Sequence, residues 1–257
     1  MLYFKKVLNA NSKEWCVFIH GAGGNSSIWY KQVKVYSENF NLLLIDLRGH
    51  GKSKNLKTSK NYSFEMIAQD VIEVVEFNKI ASAHFIGVSL GTIIIYQIFA
   101  LKPSIVKSMI FSGAITRLNI KSRLLLRIGR LLNPFLPYMT LYSLLARIIM
   151  PKKNHKTSRI LFINEAKKLM TKEFNRWFKL TARLTTYLNL VEHESNNKPT
   201  IYIMGSEDHM FLEPVKAILD LNPRIELNVV PNCGHVVNIE QAEVFNAISI
   251  QFIRKSA

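Results

Sequence analysis

Six short apolar runs punctuate the chain, and each ends at a turn signal. Trp15–Ile19 stops at His20-Gly21, residues 41–45 stop at Asp46, Ala83–Val88 stops at Ser89, and residues 105–112 stop near Gly113. Further on, residues 200–204 stop at Gly205 and Ile225–Val230 at Pro231. Runs this short, apolar throughout and bounded by turn residues, predict strands buried on both faces of a parallel sheet. Helical patterns lie between them. Phe64, Ile67, Ala68, Val71, Val74 and Val75 share one helix face behind Ser63 as N-cap, with Glu65, Asp70, Glu73 and Glu76 assigned to water. Leu90–Leu101 is apolar nearly all round, which predicts a buried helix, and residues 238–254 read as a closing amphipathic helix.

Strands alternating with helices predict an α/β fold with a doubly wound, mostly parallel sheet, whose ligands bind beyond the carboxyl ends of the strands. The alternation fails between residues 114 and 191. That stretch is leucine-rich, breaks at Pro134, Pro137 and Pro151, and contains no convincing strand. It reads as a helical cap, 114–191, inserted into a core domain made of 1–113 and 192–257. A length of 257 residues suits one large domain with such an insertion, and 48% hydrophobic against 20% charged residues allows a sizeable core.

Two cysteines cannot build a disulfide framework. The N-terminus shows no apolar h-region or small-residue cleavage site, and the apolar stretch 124–150 is broken by Arg127, Arg130, Pro134, Pro137 and Arg147. Neither reads as a signal peptide or a membrane span, so the expected location is the cytoplasm. The net charge is +16, and it is concentrated. Residues 117–183 hold 16 lysines and arginines against two acidic residues.

The strongest chemical signal is Gly87-Val88-Ser89-Leu90-Gly91, placed after a predicted buried strand and before a predicted buried helix. A sharp strand-to-helix turn there would strain the Ser89 backbone and expose its hydroxyl as a nucleophile. Serine is a weak nucleophile and needs a base held by a third group. With Gly205-Ser206-Glu207-Asp208 and Cys233-Gly234-His235 each following a later strand, the chain resembles the α/β-hydrolase fold family over almost its whole length. The family's order is serine, acid, histidine. The resemblance implies that Ser89 attacks, His235 takes and returns the proton, and Asp208 orients the imidazole. Glu207 is the rival acid, and Asp208 could instead be a carboxylate at a helix N-terminus before Pro214. His209 reads as a loop histidine.

By the same resemblance, the oxyanion hole comes from the backbone N–H groups of Leu90 and of Ala22, the residue after His20-Gly21. His20 reads as a support for that loop, and Asp46-Leu47-Arg48-Gly49-His50-Gly51-Lys52-Ser53 as scaffold. The latter is not a phosphate-binding loop, because the first glycine of that motif would fall on Asp46. Gly21-Ala22-Gly23-Gly24 fails the dinucleotide fingerprint at Ser26. No His/Cys cluster has metal-ligand spacing, so neither metal nor cofactor is expected. Cys16 reads as a core strand residue and Cys233 as a loop thiol. The chain departs from the family at Thr92, where a smaller residue is usual, and this predicts tighter helix packing. A serine at the elbow argues against the haloalkane dehalogenases, which use aspartate.

The implied activity is hydrolysis of an ester or related acyl bond of a small hydrophobic substrate through an acyl-enzyme. Thioester, lactone or carbon–carbon bond hydrolysis would use the same residues. A ligand-binding signalling protein that keeps the fold and triad is the reading from a different class. Three readings of the basic cap stay open: a solvated face, adhesion to an anionic membrane surface, or steering of an anionic substrate. Nucleic acid is not expected, since no binding motif accompanies the charge.

Overall fold

In the computed structural model, residues 1–54, 56, 61–191, 197–219 and 225–256 are described. Seven strands form one sheet: β1 (Phe4–Val7), β2 (Trp15–Ile19), β3 (Asn41–Ile45), β4 (Ala83–Val88), β5 (Val106–Ser112), β6 (Thr200–Gly205) and β7 (Ile225–Val230). Their spatial order is β1-β3-β2-β4-β5-β6-β7, parallel except for β1. The helices of the first half are α1 (Tyr30–Ser37), α2 (Phe64–Phe77) and α3 (Leu90–Leu101). Five more lie between β5 and β6: α4 (Ile120–Leu132), α5 (Tyr138–Ile149), α6 (Lys156–Ala166), α7 (Thr171–Leu180) and α8 (Leu184–Val191). The chain closes with α9 (Leu212–Leu219), α10 (Val237–Glu240) and α11 (Ala242–Ser256).

The continuous apolar runs follow from burial on two faces. Side chains alternate across a strand, so Val17, Ile19, Leu43, Ile45 and Phe85 join a core with α2, α3 and α9. Cys16, Phe18, Leu42, Leu44 and Ile86 point the other way, into a core with Tyr36 of α1 and Phe245, Phe252 and Ile253 of α11. Both cores close over the faces of the central strands.

Three expectations need correction, and one strand carried no expectation. β1 was not foreseen, because Phe-Lys-Lys-Val is too short and charged to read as a buried strand; its lysines mark a sheet edge and disfavour pairing with another chain. β7 is the opposite edge, and Glu226, Asn228 and Val229 face water, so it is not buried on both faces. Residues 238–254 do not form one helix: α10 and α11 are separated at Gln241, whose backbone leaves the helical region. Asp70, assigned to water, is buried. It accepts bonds from Nε and Nη2 of Arg48, both at 2.6 Å, and so ties α2 to the loop after β3. Ser63 caps α2 as expected, accepting from the Met66 N–H.

The helices between β5 and β6 pack over the carboxyl ends of the strands. Each contributes side chains to one cavity: Leu126 from α4, Leu145 from α5, Phe162 from α6, Trp177 from α7 and Leu184 from α8. The expected return to the core at residue 192 lies outside the described residues. Among the described residues, no helix is long and apolar enough to cross a membrane.

Asp70→Asn should lower stability by about 1–3 kcal/mol, because it leaves the half-buried Arg48 guanidinium without its carboxylate. Urea denaturation followed by circular dichroism would measure this, and an unchanged midpoint would mean the pair contributes nothing.

Candidate active site

Ser89 sits between β4 and α3 with φ of 54° and ψ of −122°, in the left-handed half of the map where a residue with a Cβ is strained. Such a conformation costs on the order of 1–3 kcal/mol and must be imposed by its surroundings. The Ser89 N–H donates to the Ser112 carbonyl at 3.0 Å, and the Ser89 carbonyl accepts from Thr92 Oγ1 at 2.7 Å. Thr92, the departure noted in the sequence, thus adds a side-chain bond across the turn. Gly91 is required by close approach, since a Cβ there would collide with the carbonyl oxygens of Ile19 and His20.

His235 follows β7, and Asp208 follows β6. The two loops are joined where the Glu207 N–H donates to the Cys233 carbonyl at 2.9 Å. His235 Nδ1 bonds Asp208 Oδ2 at 2.7 Å, with both residues almost fully buried. The other Asp208 oxygen accepts from the Phe211 N–H at 3.2 Å, and the Phe211 ring packs on the imidazole at 5.1 Å. Gly113 has φ of 52°, and a side chain there would strike His235. The carboxylate fixes the tautomer: Nδ1 carries the proton and Nε2 keeps its lone pair.

The rival acid faces elsewhere. Glu207 accepts from Asn154, Lys152 and His155 at 2.8, 2.9 and 2.8 Å. Those bonds, that of Asn154 above all, hold its carboxyl down to about 2. His209 is exposed and His235 is not its partner. Cys233 is buried, and burial pushes its thiol far up, so it is no thiolate.

Ser89 and His235 line the same cavity of about 190 Å³, whose other walls are almost all apolar. No hydrogen bond joins Ser89 to His235 in this structure. Ala22 and Leu90 line the cavity too. The Ala22 N–H meets no protein acceptor among the described residues, and Leu90, as the first residue of α3, has no intrahelical acceptor. Among the described residues no group of three side chains could hold a metal ion.

The loop carrying Ala22 is braced by His20, as its place in the sequence predicts, by His50 of the Asp46–Ser53 scaffold, and by two helix residues without a sequence signature. His20 lies under it: Nδ1–H donates to the Gly21 carbonyl and Nε2 accepts from the Leu47 N–H. His50 Nε2 accepts from the Gly23 N–H at 3.0 Å. Tyr142 of α5 donates its hydroxyl to the Ala22 carbonyl at 3.0 Å, and Trp177 of α7 donates to the Arg48 carbonyl. These contacts span 120 and 129 positions of chain, and nothing local to a lone tyrosine or tryptophan on a helix announces them.

Comparison with known proteins identifies the family and the fold. The α/β-hydrolase fold profile matches residues 15–242, and the chain belongs to that family. A Haemophilus influenzae protein provisionally named esterase/lipase is 24% identical over 261 residues, covering 93% of this chain and 83% of its own. Among solved structures, a hydrolase from Oleispira antarctica superposes with a TM-score of 0.85 at 18% identity, covering 98% of this chain and 94% of that one. A thermophilic esterase from Thermogutta terrifontis superposes at 0.81 with 16% identity, covering 99% and 93%. At such identities the structural likeness speaks for the fold. The chain is an α/β-hydrolase enzyme.

Burial, and then the neighbouring His20, pull the His50 imidazole down from 6.5 to about 3. Between those values the unfolded chain binds a proton that the native state refuses, so stability should fall as pH drops through that window and level off above it. His50→Gln removes this titration. The slope of unfolding free energy against pH should then flatten by up to about 1.4 kcal/mol per pH unit. Urea midpoints taken across the window test it, and an unaltered slope would assign the acid sensitivity to other groups.

Proposed function

We propose that this α/β-hydrolase cleaves carboxylic esters of small hydrophobic compounds through an acyl-enzyme on Ser89. The observation that carries the reading is the shared cavity. A strained serine and an imidazole already bonded to a buried carboxylate line one apolar space, beside two backbone N–H groups that have no protein acceptor among the described residues. The esterase/lipase name of the Haemophilus influenzae relative supports the same class.

In the first half-reaction Ser89 turns about χ1 to bond His235 Nε2, a closure that resting sites often complete only with substrate. The Ser89 oxygen attacks the ester carbonyl carbon as its proton passes to Nε2. The carbonyl oxygen takes the negative charge and accepts bonds from the Ala22 and Leu90 N–H groups. The C–O bond to the alcohol breaks, and His235 returns its proton to the leaving oxygen. Water then repeats the sequence: its proton goes to Nε2, its oxygen bonds the acyl carbon, and Ser89 leaves reprotonated. Asp208 stabilises the imidazolium in both halves and keeps Nδ1 protonated.

Residues 114–191 act as a cap in this reading. Their inner side chains make the acyl pocket, and water is kept from the site while the acyl-enzyme forms. Burial of methylene groups there, at about 0.8 kcal/mol each, favours a hydrophobic acyl chain over a charged one.

Purified protein should turn over short and medium p-nitrophenyl esters repeatedly and label with a fluorophosphonate probe. Ser89→Ala should stay folded, lose labelling and drop kcat/KM by about 10⁴-fold or more. Asp208→Asn should lose about a hundredfold or more while still labelling slowly, and Glu207→Gln should remain near wild type. A single turnover without multiple cycles would favour a ligand sensor, and a severe loss in Glu207→Gln alone would transfer the acid role to Glu207.

A further inference from the structure

Helix α4 turns an apolar face outward. Ile120, Leu124, Ile128 and Leu131 all stand exposed, and Phe135 continues the row just past the helix end. Ile120 is 84% exposed, Leu131 71% and Phe135 82%, far beyond what a soluble surface helix normally leaves in water. At about 100° of turn per residue, the four helix positions fall within an arc of roughly 80°. Arg123, Arg127 and Arg130 run along one flank of that arc and Lys121 along the other. The opposite side of the helix is also apolar: Leu125 and Leu126 line the cavity, and Gly129 lies against Phe178. One helix therefore faces the cavity and the solvent with hydrophobic residues, separated by a helix diameter of about 10 Å.

The cations beside the outer row are available. Arg123 and Arg130 bond the backbone carbonyls of Leu118 and Leu126, and among the described residues no carboxylate pairs with Lys121, Arg123, Arg127 or Arg130. The acids of the neighbouring helices are engaged elsewhere, Glu165 with Lys168 and Glu173 with Arg176.

We infer that α4 docks this protein on an anionic lipid bilayer. A convex helical ridge, apolar along its crest with guanidinium groups on its flank, matches the layering of a bilayer surface. The crest enters the acyl boundary while the arginines stay at the level of the phosphates. Charge decides between this occupant and a neutral apolar partner, since residues 117–183 carry 16 basic and two acidic residues. Docking in this orientation sets the cavity wall formed by Leu125 and Leu126 one helix away from lipid. The inference concerns binding and stands whether or not Ser89 is the nucleophile.

The test is flotation of the full-length chain with phosphatidylcholine vesicles, with and without phosphatidylglycerol, at low and high salt. Size-exclusion chromatography with light scattering in the absence of lipid accompanies it. The protein should float with phosphatidylglycerol vesicles at low salt and be released as salt screens the surface charge. Leu131→Glu with Phe135→Glu should reduce partition by about tenfold or more with an unchanged circular dichroism spectrum, since both positions are exposed and outside the cavity. Arg127→Glu with Arg130→Glu should abolish the preference for the anionic lipid. Failure to float with phosphatidylglycerol at low salt would overturn the inference, as would equal binding to both vesicle types or unchanged flotation of the Leu131/Phe135 variant. A dimer in solution that the Leu131/Phe135 variant converts to monomer would overturn it too, because the row would then be covered by a second copy.

Discussion

The site depends on a backbone collision that glycine avoids. α3 can begin immediately after β4 only if its first turn presses against the end of β2, and at Gly91 the space left by Ile19 and His20 is too small for a methyl group. That approach drives Ser89 to positive φ, where the chain would not go unaided. The strain is held by groups on several elements: the Ser112 carbonyl of β5, the Thr92 hydroxyl of α3 and the strand ladder on either side. A strained turn on a central strand has another consequence. It projects a hydroxyl beyond the sheet edge while leaving the α3 N-terminus, with its free N–H groups, directly beside it.

The helical segment between β5 and β6 forms more than the wall of a cavity. Tyr142 holds the Ala22 carbonyl, Trp177 holds the Arg48 carbonyl, and His155 bonds Glu207, one residue from Asp208. The loop bearing Ala22 and the loop bearing Asp208 are thereby both fastened to this helical segment. Movement of the segment would be felt at Ala22 and Asp208 together. Glu240 ties the remaining loop, accepting from the Gly234 N–H at 2.6 Å and from Ser158 of α6 at 2.6 Å.

Charge and hydrophobicity are distributed unevenly for the same reason. The sheet and its flanking helices bury most of their apolar residues in two large cores. The segment over the strand ends has a much smaller core of its own, built on Leu141, Leu169, Phe174 and Phe178. A helix there can satisfy the cavity with one side and still carry leucines and isoleucines on the other, as α4 does. Basic residues are interleaved with them along the helix.

What the sequence determined by itself is the sheet and the residues that punctuate it. Uniformly apolar runs marked the five central strands because both their faces are buried, and the turn residues that follow β4, β6 and β7 marked Ser89, Asp208 and His235. The Ser63 cap was legible because its partner lies three residues away. The edges were legible only in part. β1 and β7 have one neighbour each; the charged pattern of Phe4–Val7 hid β1, while Ile225–Val230 read as a strand but not as one with an exposed face. Asp70 looked solvated because helical spacing records which face a residue shares and not that Arg48 waits opposite it. Tertiary structure alone decided that Tyr142 holds the Ala22 carbonyl, that Trp177 holds the Arg48 carbonyl, and that α4 faces outward with its isoleucines and leucines. Each of these depends on packing between segments far apart in the chain, and one-dimensional periodicity holds no information about which distant surface a side chain will meet.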